Sequence, residues 1–130
     1  MKEKRMKRII DEYIKAYNEF DVDGMIRNIH EDMEFKNIAS GKVNFELRGK
    51  NAFKKQIEQA FNMFNKREMK ITEQKVGDDI VENKIEFKGI LAGDIAELKK
   101  YDLIKLQSKS IFQFKNGKIV SIEDINWNNL

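Results

Sequence analysis

The stretch "SIFQFKNGKIVSIEDINW", residues 110–127, holds an apolar alternation that ends in an acid and an amide: Val120, Ile122, Asp124, Asn126. A carboxylate at the end of such a stripe can do chemistry. Taken out of water, its charged form is disfavoured and its pKa rises, which makes it a usable base or acid near neutrality. Asp124 is therefore the leading catalytic candidate. If strands 79–91 and 103–115 curve with it, their inner sides carry Asn83, Ser108 and Ser110 among Val81, Ile85, Phe87, Leu91, Leu106, Phe112 and Phe114. Unpaired in a solid core, each polar group would cost ~1–3 kcal/mol. On the wall of a cavity they instead resemble a small-molecule site, mostly apolar with a few polar groups. The ligand-binding candidates are Tyr17, Asn83, Phe87, Leu106, Ser108, Ser110, Phe112, Ile122 and Asn126. Tyr13 and Tyr17 lie on one apolar helix face and can turn hydroxyls toward the same space. Asn37 ends a strand near it. Tyr13 and Asn37 join Asp124 as catalytic candidates, polarising a substrate oxygen while Asp124 moves a proton.

These residues need elements to hold them. Met6, Ile9, Ile10, Tyr13, Ile14, Tyr17 and Phe20 recur at spacings of three and four, predicting a helix over 3–20. "EFDVDG" stops it, and Asp21 or Asp23 can cap a short second helix with Met25, Ile26 and Ile29 inward. His30 reads as a residue at that helix's C-terminus, where the dipole favours a cation. "MEFKNI" (33–38) predicts a strand, "ASGKVNFELRG" a loop, and "KNAFKKQIEQAFNMF" a third helix. Beyond residue 66 the period falls to two. "EMKITEQKV" and "DIVENKIEFKGIL" read as strands turning near Gly77-Asp78-Asp79, "AGDIAELKKYD" as a loop with a helical turn, and 103–115 as a further strand. Asn116-Gly117 is the preferred type I′ pair, because both central residues of that turn need positive φ. Three helices followed by antiparallel strands predict one α+β domain over 1–130, with a curved sheet wrapped around the helices and enclosing a pocket.

Composition narrows the function. The 130 residues contain no Cys, so thiol catalysis and thiolate metal sites are excluded, and one His leaves no multi-His metal centre; no cofactor is implied. No apolar run approaches the ~20 residues of a spanning helix, and no signal peptide is recognisable. A cytoplasmic protein with no membrane contact is expected. Net charge is +3, from 25 basic and 22 acidic residues, with one basic cluster at Lys2, Lys4, Arg5, Lys7 and Arg8. Elsewhere the signs interleave, which does not make a nucleic-acid footprint. "DVDG" lacks the third ligand position of a calcium loop, and "RGKN" lacks the upstream Gly and following Ser or Thr of a phosphate loop. Ile111, Ile125 and Trp127 alternate to the outer sheet face, where exposed apolar groups would suit a homodimer interface.

"HEDMEF", "LRGKNAFKK", "FKGILAGD" and above all "SIFQFKNGKIVSIEDIN" resemble the SnoaL-like branch of the nuclear transport factor 2-like superfamily. That superfamily includes polyketide cyclases and ketosteroid isomerase. The resemblance implies a cone-shaped, barrel-like fold with a pocket between sheet and helices, and commonly a dimer through the outer sheet face. Similarity to ketosteroid isomerase places an oxyanion-binding Tyr at Tyr13, but puts Asn37 where the base stands and Ser110 where a protonated acid stands. An amide cannot abstract a proton at neutral pH. Similarity to the cyclases places their closing-strand Asp at Asp124, with Glu123 and Ile122 in place of aromatic and His companions. The leading expectation is a domain that binds a small apolar or amphipathic molecule. The alternatives are a cyclase or isomerase using Asp124 next to a carbonyl, and a protein-interaction module using the sheet face.

Overall fold

The computed structural model describes residues 1–126; Trp127 lies outside the described residues. The chain runs α1 (Glu3–Asn18), α2 (Val22–Ile26), β1 (Ile29–Ala39), β2 (Lys42–Arg48), α3 (Lys50–Ala60), β3 (Phe64–Gly77), β4 (Ile80–Leu91), β5 (Leu103–Lys115) and β6 (Lys118–Asn126). The strands form one sheet in the order β2-β1-β6-β5-β4-β3. The fold is α+β, a curled sheet packed on three helices. Both β2 and β3 remain edges, so the sheet is not a closed barrel. No described helix is long and apolar enough to cross a membrane.

The apolar face of α1 forms the core through Met6, Ile9, Ile10 and Tyr13, which pack with Met25, Phe53, Ile57, Phe112 and Ile122. Asp21 caps α2, its carboxylate accepting from the Gly24 N–H at 3.0 Å. The β5–β6 hairpin turns at Asn116 (φ 54°) and Gly117 (φ 77°), both left-handed as the type I′ turn requires.

Several expectations need correction. Residues 39–49 are not a loop: β2 pairs antiparallel with β1 across a turn at Ser40 and Gly41, both with positive φ. His30 belongs to β1, not to a helix end, and its Nδ1 accepts from the Asp32 N–H. The β1–β6 pairing is parallel, because β1 is inserted beside the last strand of the chain. The 92–102 loop has no helical turn; it folds back through a bridge between Ile95 and Leu98. Strict alternation fails at bulges in β2, β3 and β6, two of which bear on the site's walls and core. Thr72 has no partner between Ile71 and Glu73, and Val120 has none between Ile119 and Ser121. The second bulge puts Ile119 in the core and leaves Val120 half-buried. Such bulges bend strands and strengthen their twist, which helps the sheet curl.

Candidate functional site

Strand pairing sets the site. One row crosses all six strands: Phe45, Asn37, Asp124, Ser110, Asn83 and Gln74, each directly opposite the next. The row two residues away on one side is apolar: Leu47, Phe35, Ile122, Phe112, Val81 and Val76. The polar row therefore lies on the concave face, above a hydrophobic floor. At one end it is satisfied internally. Gln74 donates to Asn83 at 2.8 Å, and Asn83 donates to the Ser110 hydroxyl at 3.5 Å. Asn126 donates to Asn37 Oδ1 at 2.9 Å. Asp124, between Asn37 and Ser110, has no hydrogen-bond or ion-pair partner among the described residues.

Asp124 faces hollow space. An inner chamber of about 290 Å³ lies between the sheet and the helices. Tyr13 and Tyr17 of α1, Phe53 and Ile57 of α3, and Arg67 and Met69 of β3 are among its walls. An outer chamber of about 700 Å³ is lined by Phe87 and Leu91 of β4, Ile104 and Leu106 of β5, and Ile95 and Leu98 of the 92–102 loop. Tyr17, Asn37, Met69 and Asp124 line both, so the two chambers meet at the carboxyl.

Burial alone raises the Asp124 pKa from 3.8 to about 7. Both forms are accessible at neutral pH, the condition for efficient proton exchange. Burial, reinforced by the Asp124 charge, pushes the Tyr13 phenol well above its ordinary value. Burial lifts Tyr17 to about 12 against the opposing pull of the Arg67 guanidinium. Both phenols stay protonated and can donate. Tyr13 is held by an edge-to-face contact with Phe112 at 5.5 Å between ring centroids.

Of the candidates named from sequence, Asp124, Tyr13, Asn37, Tyr17, Ser110 and Phe112 line the inner chamber. Phe87, Leu106, Ser108 and Asn126 line the outer one. Asn83 and Ile122 line neither. Asn83 is fully buried behind Ser110, and Ile122 is core.

Arg67 is the residue that sequence reasoning missed. It is 8 % exposed, and its guanidinium carbon lies 3.7 Å from the Tyr17 ring centroid and 4.5 Å from that of Phe20. Phe20 adopts φ 57°, a left-handed conformation uncommon for a bulky residue. Arg67 Nε donates to the Tyr17 carbonyl at 2.8 Å, closing the end of α1 onto β3. Asn18 completes that junction by exchanging two hydrogen bonds with the Met69 backbone. The available signal was parity: Arg67, Met69 and Ile71 share one side of their strand.

A family model described as a SnoaL-like domain matches residues 10–122. Among curated proteins, none matches the chain in sequence. A candidate polyketide cyclase from Xanthomonas campestris pv. campestris superposes with TM-score 0.79 at 17% identity, covering 96% of this chain and 91% of that one. An LEH-like epoxide hydrolase from M. tuberculosis gives 0.76 at 15% identity, covering 95% and 83%. A protein with a ketosteroid isomerase-like fold from Catenulispora acidiphila, in complex with trimethylamine, gives 0.74 at 13% identity, covering 92% and 85%. At these identities the likeness is one of fold. With the family match across most of its length, the chain belongs to the SnoaL-like domain family.

Proposed function

We propose that the chain is a small-molecule-binding domain whose ligand is largely apolar and carries an oxygen group that meets Asp124. One observation carries this reading: a carboxyl without a partner among the described residues stands where two mostly apolar chambers join. A chain gains no stability from such an arrangement, since the half-buried carboxyl loses part of its hydration and receives no hydrogen bond among the described residues in return. A ligand hydroxyl or carbonyl would supply the partner, and the apolar walls would supply affinity. Native mass spectrometry of the protein purified from its own host tests this. A small molecule retained by the parent and lost from Ala60→Trp, which fills the inner chamber, is the expected result. Equal retention by both proteins would place the ligand elsewhere.

A second reading is proton transfer at a carbon next to a carbonyl, with Asp124 as the base and Tyr13 or Asn37 holding the oxygen. The pKa of about 7 at Asp124 favours it. On this reading Asp124→Asn slows α-proton exchange of a bound cyclic β-keto ester by about 10²–10⁴-fold, the usual weight of a positioned general base. Exchange that is the same with and without the carboxylate would leave binding alone as the function. We also propose that two copies pair through the convex face, where Ile111 and Ile125 lie half-buried on β5 and β6.

A further inference from the structure

We infer that the inner chamber accepts a monocarboxylate, held by the Arg67 guanidinium while its apolar part extends past Asp124 toward the outer chamber. This deepens the binding reading and rests on it. Arg67 is a cation removed from water with no acidic partner: no carboxylate among the described residues forms an ion pair with it. Its Nε is used by the Tyr17 carbonyl, which explains the end of α1 but not the rest of the group. Its Nη2 is buried without any acceptor among the described residues. A buried donor left unpaired is costly, more so on a charged group.

The surroundings select the class of anion. Tyr17, Phe20 and Phe61 stack on the guanidinium and fix its plane. With Nε engaged by the Tyr17 carbonyl and Nη2 closed off by the protein, a carboxylate in the chamber would meet the guanidinium through a single charge-assisted hydrogen bond. Among the described residues, Arg67 is the only cationic side chain lining the chamber, and Asp124 lines the same space. One positive charge balances a monoanion, whereas a phosphate dianion would leave negative charge in an apolar site beside a carboxyl. The chamber walls otherwise offer apolar rings and neutral donors, which suits the carbon skeleton of an organic acid.

The test compares octanoate with octan-1-ol by isothermal titration calorimetry at neutral pH. The parent protein should bind the acid about ten-fold or more tightly than the alcohol, the scale of a charge-assisted pair. Arg67→Met should remove that preference yet still bind the alcohol, and Arg67→Lys should keep part of it. If Arg67→Met does not fold, the guanidinium NMR signals of Arg67 in the parent decide: they should shift with octanoate and not with octan-1-ol. Equal affinity for acid and alcohol, a preference that survives Arg67→Met, or unmoved Arg67 signals would overturn the inference and leave the binding reading standing. Binding of neither compound would sink both.

Discussion

Burial raises the Asp124 carboxyl from 3.8 to about 7, so the folded chain holds this proton more tightly than the unfolded chain does. Its contribution to stability is therefore fully present below about pH 4 and lost as pH rises toward 7. The loss is on the order of 2–4 kcal/mol, the lower end applying if water fills the cavity. Asp124→Asn should flatten that part of the pH–stability curve and stabilise the protein at pH 8. Chemical denaturation of both proteins from pH 4 to 8 checks this, and parallel curves would mean that the carboxyl is solvated. Asp124 itself was legible in the sequence because an acid at the end of an apolar stripe has few explanations. Arg67 was not. It stands in the run "NKREMK", which reads as solvated surface, and its burial depends on three rings brought from α1, the α1–α2 turn and the end of α3.

At the scale of elements, the outer chamber depends on a close approach at Gly89. A Cβ there would stand 2.7 Å from the Phe64 ring and 2.9 Å from Phe87. Those rings meet edge-to-face at 5.2 Å, and both line the chamber. Gly89→Ala should destabilise the fold by about 1–3 kcal/mol, as overpacking does, and narrow the outer chamber. Denaturation and ligand titration on the variant measure the two effects; an unchanged midpoint would show that Phe64 moves aside freely. Most strands were readable because period-two alternation survives wherever one face is buried. β2 was missed although Val43, Phe45 and Leu47 alternate, since as a mostly exposed edge strand it has little burial to mark its face. The bulges at Thr72 and Val120 were beyond reach, because an extra residue in one strand is defined only against its partner. The parallel β1–β6 pairing is likewise a matter of topology, joining residues about ninety positions apart, as Asn37 and Asp124 show.

At the scale of the molecule, helices cover the concave face and leave the convex face with Ile111 and Ile125 among charged neighbours. Pairing of two copies there predicts that Ile125→Lys shifts the sedimentation coefficient from dimer to monomer while the circular dichroism spectrum is retained. A parent that sediments as a monomer would remove the interface. The hollow between the layers matters most, because binding, proton transfer and carboxylate selection all require that Asp124 look into it and not into bulk water. The most direct measurement is an NMR titration of the side-chain carboxyl carbon of Asp124 in the free protein. A midpoint near pH 7 is predicted, and a midpoint near 4 would contradict the account.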